Sequence, residues 1–406
     1  MGYSKMLLGL LLLITLAATS TAQPAAVAPT FKCTTTKATC HSLIDYVSPN
    51  KTTISTIQSL FQIKRFHDLL GANGLSNSTS PNKTLEAKER IRIPFPCLCE
   101  NGTGISNKSP KYKVKKDDGL YHIAAEIFSG LTTFEEVARV NGIPDPDKIL
   151  VGQELWIPLP CSCDEVAGAK VVHYGHVVEA GSSVEKIAMT YGTTEDILLQ
   201  LNGIVNASQL LAGQVLDVPL KACTSSVNSS SLDYPLLVSN GTYVYTANSC
   251  VKCNCDSANN YTLQCQPSGE KPSSNSSWST CPAVRCGGTN NLNLGDVANS
   301  TTCDKTFCAY AGYTKDTILP TLSTESTCPA GAPAPSPSGT PGSNASPGTP
   351  GSDASKIGLQ GLRLELPFHL YPVDLPLFSS FSVRWNMCLY GFVHTQLSIW
   401  RTGADN

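Results

Sequence analysis

The spacing of the cysteines constrains the fold of this chain more than any other feature. Sixteen of its 17 cysteines lie between Cys33 and Cys328. Before residue 200 they include two Cys-x-Cys pairs, one ending at Cys99 and one at Cys163. Cysteines two residues apart rarely bond to each other, because their spacing strains the bridge. Each pair is therefore expected to reach two distant partners and to tie separate parts of the chain together.

Several features indicate an oxidising, secretory compartment. The cysteine density is typical of disulfide-bonded proteins. Twelve Asn-x-Ser/Thr sequons point the same way. They begin at Asn50, Asn77, Asn82, Asn101, Asn107, Asn206, Asn228, Asn240, Asn260, Asn275, Asn299 and Asn344. Residues 1–22 are predicted to be a signal peptide, with a positive Lys5, an apolar run and small residues at its end. That apolar run is too short to span a bilayer.

An internal repeat organises the first half of the mature chain. Residues 112–161 and 174–223 align, with Asn141-Gly142-Ile143 over Asn202-Gly203-Ile204 at a distance of 61 residues. A more diverged copy runs from about residue 41 to 97 and contains Asn73-Gly74-Leu75. The predicted units are residues 23–99, 100–163 and 164–223.

Each copy has the pattern of strand, helix, helix, strand. In the third copy, Val184, Ile187, Ala188 and Tyr191 have the spacing of one helix face, with a capping box expected from Ser182 and Glu185. Asn202-Gly203 would end the second helix, since both residues tolerate a left-handed conformation. The middle copy repeats the first helix with Leu120, Ile123, Ala124 and Ile127.

Three further regions follow the repeats. Residues 224–328 are rich in cysteine and lack a long amphipathic helix, which predicts a small, mainly β disulfide domain. Zinc binding is the alternative for these thiols, but the region has almost no histidine. Residues 329–355 form a Pro/Gly/Ser linker that is expected to be disordered. Residues 356–406 form a C-terminal tail.

Composition and motifs argue against several function classes. A net charge of −2 with 15% charged residues does not favour nucleic-acid binding. The acidic residues of the Cys-rich region are scattered without the paired arrangement that glycan hydrolysis requires. His173 and His176 have no evident nucleophile partner, and both are expected to be solvated. No kinase signature occurs. We therefore expect no enzyme activity, no cofactor and no metal.

The repeats resemble LysM modules, which are glycan-binding units. The whole layout of signal peptide, three modules, Cys-x-Cys spacers, Cys-rich region and linker resembles the plant LysM domain-containing GPI-anchored proteins, the class of the chitin elicitor-binding receptors. The resemblance implies an α+β fold of three tandem disulfide-linked βααβ modules. It also implies the bridges Cys33–Cys99, Cys40–Cys163 and Cys97–Cys161.

In this family the sugar lies between two loops of a module. The resemblance places glycan-binding residues of the middle module at Asp118, Gly119, Leu120, Asn141, Gly142, Ile143, Pro144 and Asp145. In the third module it places them at Gly181, Ser182, Asn202, Gly203, Ile204 and Val205. Glycine admits close backbone approach, and loop amides can pair with an acetamide group. The alternative is that these residues only form turns and helix caps.

The function implied is an extracellular pattern-recognition receptor for N-acetylglucosamine-containing glycans, either chitin oligomers or peptidoglycan. A LysM receptor-like kinase would be its signalling partner, and a long glycan could join two copies. GPI attachment would use Ser352, Asp353, Ala354 or Ser355, although prolines and charges interrupt the apolar tail that the signal needs. The alternative is a soluble lectin that is secreted and sequesters glycan without signalling.

Overall fold

The computed structural model describes residues 29–274, 276–287, 291–298 and 304–326. The predicted signal peptide, the linker and the tail with its lipidation candidates lie outside these ranges. No helix in the described part of the chain has the length and apolarity needed to cross a bilayer.

The first unit follows the predicted order of elements. After β1 (Phe31–Lys32), strand β2 (Thr39–Val47) leads through the two-residue β3 (Thr52–Thr53) to helices α1 (Ile54–Leu60) and α2 (Phe66–Ala72). A short β4 (Thr84–Leu85) precedes β5 (Arg90–Glu100) and β6 (Thr103–Ser106). Both helices have seven residues, so their stability depends on the side chains that they bury.

The middle unit differs from its prediction in the first helix. It consists of β7 (Lys111–Lys113), a π-helical segment (His122–Ile127), α3 (Phe134–Val140), β8 (Glu154–Trp156) and β9 (Pro160–Cys161). The Phe128 N–H donates to the Ile123 carbonyl five residues back. This wider turn buries Phe128 completely, whereas an α-helix would have favoured Ile127. The Phe128 ring makes edge contacts with Phe61 and Tyr112, which joins the cores of the first two units.

The third unit matches its predicted pattern closely. Strand β10 (Val171–Val177) is followed by α4 (Val184–Tyr191), α5 (Glu195–Asn202) and β11 (Val215–Lys221). The cap of α4 is Ser183, whose hydroxyl accepts from the Lys186 N–H at 3.1 Å, and not Ser182. The predicted capping box therefore placed the N-cap residue of this helix one position too early.

One sheet joins the first unit to the third. Its strand order is β1-β6-β5-β2-β10-β11, and β9 also pairs with β6. Strands β2 and β10 are parallel, with Leu43 opposite Tyr174 and Ile44 opposite Gly175. A Cβ atom at Gly175 would lie 2.8 Å from the Ile44 side chain, so this crossing requires glycine.

The disulfides of the first and middle units form one cluster. The structure joins Cys33 to Cys99, Cys40 to Cys163 and Cys97 to Cys161, which are the pairs that the resemblance implies. The sulfur atoms of Cys33, Cys99 and Cys163 lie within 4.8 Å of one another, and so do those of Cys40, Cys97 and Cys163. The Cys-x-Cys pairs therefore tie the first unit to the end of the middle unit, directly before the third unit begins.

The Cys-rich region forms two small sheets. One contains β12 (Thr242–Thr246), β13 (Val251–Cys255) and β14 (Gln264–Pro267). The other contains β15 (Val297–Ala298), β16 (Asp304–Tyr313) and β17 (Ile318–Ser326). Four bridges lie in this region: Cys223–Cys255, Cys250–Cys281, Cys253–Cys265 and Cys286–Cys308. The eight sulfur atoms of these four bridges are not available to zinc. Cys303 and Cys328 lie outside the described residues.

An equivalent asparagine holds each unit together after its second helix. The Asn141 amide nitrogen donates to the carbonyls of Val137 and Trp156, both at 2.8 Å, and its oxygen accepts from the Trp156 N–H at 2.9 Å. Asn73 and Asn202 make the same three bonds in their own units. The repeated asparagine therefore fastens the helix end to the closing strand.

The two histidines that were predicted to be solvated are buried, which corrects that prediction. His173 and His176 are 1% and 6% exposed. Both lie on β10, which pairs with β2 and β11 along its edges, and consecutive buried residues show that both of its faces are also covered. The residue pattern of a single strand cannot reveal which distant parts of the chain pack against its two faces.

Asp45 binds the first unit to the third through a buried network. Its carboxylate accepts from Arg90 at 2.7 Å, from the His176 Nδ1 at 3.0 Å and from the Tyr174 hydroxyl. Burial alone would raise the pKa of Asp45. The hydrogen bonds from His176 and Tyr174 and the adjacent charges outweigh burial and hold that pKa below its ordinary value.

His173 forms a second buried ion pair within the third unit. Its Nδ1 lies 2.9 Å from an Asp217 oxygen, and its Nε2 lies 2.8 Å from the Asp164 carbonyl oxygen. Only the protonated ring donates from both nitrogens. Burial alone would lower the pKa of His173, but the Asp217 charge and these hydrogen bonds hold it above the ordinary value.

Replacing the asparagine of the middle unit should destabilise the fold. Asn141→Ala leaves the Trp156 N–H and carbonyl without their partner and should lower the free energy of unfolding by roughly 2–4 kcal/mol. Asn202→Ala should act similarly, whereas Met189→Ala, at a helix position that is 73% exposed, should change little. Denaturant titrations would measure all three, and a wild-type midpoint for Asn141→Ala would contradict this role.

The two ion pairs predict the pH dependence of stability. The His173 contribution is complete below its unfolded pKa of about 6.5 and is lost as pH rises through the higher folded value. The Asp45 contribution is complete above about pH 3.9 and is lost as pH falls through its lower folded value. The melting temperature should therefore be highest between these limits.

Asp217→Asn tests the alkaline side of that dependence. It removes the charge that holds the His173 proton and should cost roughly 1–3 kcal/mol at about pH 6. The difference from wild type should shrink as pH rises through the raised folded pKa of His173, above which the ring is neutral in both proteins. Thermal melts across this range decide it, and a constant difference would contradict the assignment.

Candidate functional site

The two predicted site loops lie at the same end of their unit. In the middle unit, the Val114 N–H donates to the Gln153 carbonyl at 2.9 Å, and the Gly152 N–H donates to the Val114 carbonyl at 2.8 Å. In the third unit, Val178 makes the same two bonds with Gln214 and Gly213. These bonds hold the loop after the first strand beside the turn that closes the loop after the second helix.

Asp118 shapes the first loop of the middle unit. Its carboxylate accepts from the Tyr112 hydroxyl at 2.9 Å and from the Lys115 N–H at 2.7 Å, and its side chain is only 6% exposed. Burial raises the pKa of Tyr112, and the hydrogen bond to Asp118 raises it further, so the hydroxyl remains a donor. Asp118 thus holds the loop through its Oδ2 atom, which accepts both bonds.

The neighbouring residues of this loop differ in accessibility. Gly119 is exposed, and a Cβ atom there would have no neighbour within 4 Å. Leu120 is 2% exposed and belongs to the core. A side chain in the core cannot contact a sugar at the surface, so the structure places Leu120 beneath the site and not in it.

The second loop of the middle unit presents three accessible positions. Gly142 is exposed with a φ of +63°, a conformation that favours glycine. Ile143 is half-buried against the core, and Pro144 is exposed. Asp145 forms an ion pair with Lys148 at 2.8 Å. Asn141 uses both amide atoms in the bonds to the closing strand, so its side chain has a structural role.

Two apolar side chains next to this loop were missing from the predicted set. Leu150 and Val151 are 73% and 70% exposed in the turn that ends the second loop. The repeat counterpart of Leu150 is Leu211, which is 65% exposed in the third unit. The alignment of the two copies already shows an apolar residue at the same turn position, and this repetition could have identified the site residue from the sequence.

The two loops of the third unit are arranged similarly, but bulkier side chains border them. Gly181 and Gly203 are exposed, Ile204 is half-buried and Val205 is 89% exposed. The Ser182 N–H closes a turn onto the Glu179 carbonyl at 3.1 Å. Asn202 is occupied by its structural bonds. Directly after Val205, Asn206 starts a sequon and caps a short 3-10 helix (Ala207–Gln209).

The same end of the first unit is closed by backbone pairing. Strand β3 pairs with β4, which places Thr52 opposite Leu85 and Thr53 opposite Thr84. The Ile54 N–H also donates to the Lys83 carbonyl at 3.1 Å. These bonds run directly between the two loops and fill the space that separates them.

The Cys-rich region covers what remains of that end. Tyr243 donates its hydroxyl proton to the Leu75 carbonyl at 2.7 Å, and Leu75 is the counterpart of Ile143 and Ile204. The contact is tight, since a Cβ atom at Gly74 would lie 2.6 Å from the Gly241 carbonyl oxygen. Burial raises the pKa of Tyr243 to about 12, so this donor stays protonated.

Buried carboxylates of the described residues are engaged in holding the fold. Asp45 and Asp217 pair with histidines, and Asp233 accepts from the Tyr310 hydroxyl at 2.7 Å and from Thr246 at 2.5 Å. The open loops, in contrast, present glycines, backbone amides and apolar side chains. Such a surface can bind a neutral, partly apolar ligand.

A comparison with protein-family models matches the LysM domain at residues 112–158 and 176–219. These ranges coincide with the middle and third units, whose open loops are described above. The fold therefore contains two LysM domains in a mixed α and β structure with several disulfides.

Individual relatives extend the similarity over most of the chain. LysM domain-containing GPI-anchored protein 2 of Arabidopsis thaliana is 49% identical over 318 residues, which cover 78% of this chain and 87% of that protein. Chitin elicitor-binding protein of Oryza sativa subsp. japonica is 43% identical over 283 residues, covering 69% and 76%. Chitin elicitor receptor kinase 1 of Arabidopsis thaliana is 27% identical over 171 residues, covering 41% and 27%. The chain thus belongs to the family of plant LysM domain-containing GPI-anchored proteins.

Proposed function

We propose that this protein is an extracellular pattern-recognition receptor that binds N-acetylglucosamine-containing glycans at the open loops of its middle LysM domain. The observation that carries the proposal is the contrast between units. The middle unit leaves both loops accessible, whereas the first unit closes them by β3–β4 pairing and by Tyr243. The similarity to a rice protein named for binding a chitin elicitor supports chitin oligomers as the ligand.

The accessible groups of the middle loops suit an acetamide sugar. Gly119 and Gly142 carry no side chain, so a sugar can approach the backbone closely. Loop N–H and C=O groups can pair with the acetamide, which has one donor and one acceptor. Ile143 and Pro144 offer an apolar surface to its methyl group. Cellulose lacks the acetamide and would leave these groups unmatched.

The third domain would be the weaker site. Val205 extends from its second loop, and a glycan on Asn206 would stand directly beside that loop. The middle domain has no sequon within either loop. We propose that the predicted residues Gly119, Gly142, Ile143 and Pro144 carry most of the affinity.

The first unit would be a third, diverged LysM module that serves as a support. Its strand-helix-helix-strand order and its asparagine match the other two, and its binding end is turned toward the Cys-rich region. The proposed domains are therefore residues 23–99, 100–163, 164–223 and a Cys-rich domain at 224–328. The bound ligand would then contact two open modules at most in each molecule.

Signalling would require a second protein. A receptor-like kinase with LysM domains is the proposed partner, which the similarity to chitin elicitor receptor kinase 1 supports. A long chitin oligomer could also bridge two copies of this chain and raise the affinity without new contacts. A purely sequestering lectin is not favoured, since the relatives are named as GPI-anchored proteins and receptors.

Pro144→Asp should weaken binding to a long chitin oligomer. The change removes apolar contact and forces a carboxylate to lose water, at a cost of about 1–2 kcal/mol, or roughly five- to thirtyfold in affinity. Pro144 is exposed, so folding should not change, whereas Ile143 also supports the core. Val205→Asp in the third domain is the matched control and should cost less.

Calorimetry with chitin, peptidoglycan and cellulose oligomers would measure these effects and define the ligand class. Binding of chitin should vary little with salt, since the ligand is neutral. If folded Pro144→Asp protein bound chitin like wild type while Val205→Asp did not, the main site would lie in the third domain. Equal binding of cellulose would contradict recognition of the acetamide.

The protein is also proposed to be held at the outer leaflet of the plasma membrane by a GPI anchor. Ser352, Asp353, Ala354 and Ser355 are the candidate attachment residues, and they lie outside the described residues. Treatment of cells with phosphatidylinositol-specific phospholipase C should release the protein into the medium. Protein that is already in the medium before treatment would instead identify a secreted form.

A further inference from the structure

A second groove lies apart from the glycan loops, on a different part of the middle domain. It has a volume of about 520 Å³ and is bounded by helix α3, the segment after β8, the β5–β6 hairpin and the N-terminal residues Pro29 and Thr30. That volume is within the range of roughly 300–1,000 Å³ that is typical of small-molecule sites. Trp156, Glu136 and Arg139 line it, together with prolines that follow Trp156.

The sequon asparagine Asn101 lines this groove itself. Asn101 and Gly102 form the tip of the β5–β6 hairpin with φ values of +54° and +81°. Thr103 completes the sequon and anchors the turn by donating to the Glu100 carbonyl at 3.3 Å. Asn101 is exposed, and within the described part of the chain its amide makes no side-chain hydrogen bond.

Other sequons lack this combination. The Asn77 amide nitrogen donates to the Tyr245 hydroxyl, and that of Asn260 donates to Glu325 at 3.0 Å. Asn50 and Asn82 are exposed, but neither lines this groove. Among the described sequons, Asn101 is therefore the one that joins an available amide to this recess.

The walls of the groove suit the first sugar of an N-linked glycan. Trp156 offers an aromatic surface, and its ring nitrogen donates to Ser106 at 3.3 Å, which fixes the ring. Arg139 and Glu136 hold each other through two hydrogen bonds of 2.8 and 2.5 Å and present polar atoms to the recess. A sugar has apolar C–H faces and polar edges, so both kinds of wall have a counterpart.

We propose that Asn101 carries an N-linked glycan whose first N-acetylglucosamine residue lies in this groove against Trp156. In the transfer step, the amide nitrogen attacks C1 of the sugar of a lipid-linked diphosphate oligosaccharide. The C1–N bond forms, the C1–O bond to the diphosphate breaks, and the amide loses a proton. Attachment precedes folding, and the folded groove then holds the sugar. The inference does not depend on chitin binding by the loops.

Site-resolved deglycosylation of the full chain, made in a plant secretory host, tests this assignment. Native protein is treated with peptide N-glycosidase in heavy-oxygen water, and mass spectrometry follows each asparagine. Release at Asn101 should be about fivefold slower than at the exposed Asn50 and Asn82, which corresponds to about 1 kcal/mol of sugar contact. Trp156→Ala should raise the Asn101 rate to that of the exposed sites without changing occupancy.

Variants separate the contact from general effects on folding. Arg139→Ala, at a side chain that is 67% exposed, should accelerate release partly and covers the case in which Trp156→Ala is not secreted. Thr103→Ala should abolish occupancy at Asn101, and Thr103→Ser should preserve it. An unmodified Asn101 would overturn the proposal. So would release at Asn101 as fast as at Asn82, or a Trp156→Ala or Arg139→Ala protein whose slow release persists.

Discussion

The carboxylate of Asp45 is the contact on which the arrangement of the units depends. It lies where β2 of the first unit meets β10 of the third, and it receives donors from Arg90, His176 and Tyr174. A buried charge is costly unless it is paired and hydrogen-bonded. A shift of β10 by one residue would turn His176 and Tyr174 to the other faces and leave the carboxylate uncompensated. The network therefore specifies the register of the joint between units that are not adjacent in sequence.

The joint between β2 and β10 gives the three similar units different surroundings. The first and third share a sheet, and the first also receives the Cys-rich region through Tyr243. The middle unit pairs its own β7 with β8 in a separate two-stranded sheet, and it meets the first unit through the pairing of β9 with β6, two disulfides and the core around Phe128. Its loops consequently remain accessible. The corresponding loops are thus closed in the first unit and open in the middle one.

The sequence predicted the local features well and the long-range ones poorly. Helix positions in the third unit followed from the spacing of Val184 and Ile187, because amphipathic periodicity is a local property. The disulfide pairs required the family resemblance, since spacing alone leaves the connectivity open. Burial of His176 depends on Asp45 of β2, more than 120 residues away in sequence, and that of His173 depends on Asp217 of β11. Closure of the first unit by Tyr243 likewise depends on a contact that no single segment reveals. Leu120 was placed at the surface because a loop boundary cannot show which way its last side chain points.

The disulfide cluster has a consequence for how the chain is made. Cys40 and its partner Cys163 are separated by 123 residues. At a synthesis rate of about 5–20 residues per second, roughly 6–25 seconds pass between their entries into the secretory lumen. During this interval the first unit has neither its full covalent frame nor its neighbour β10, and the Cys40 thiol is exposed to oxidoreductases. The units therefore do not mature one after another as independent domains, because the first unit is complete only after β10 of the third unit has been made.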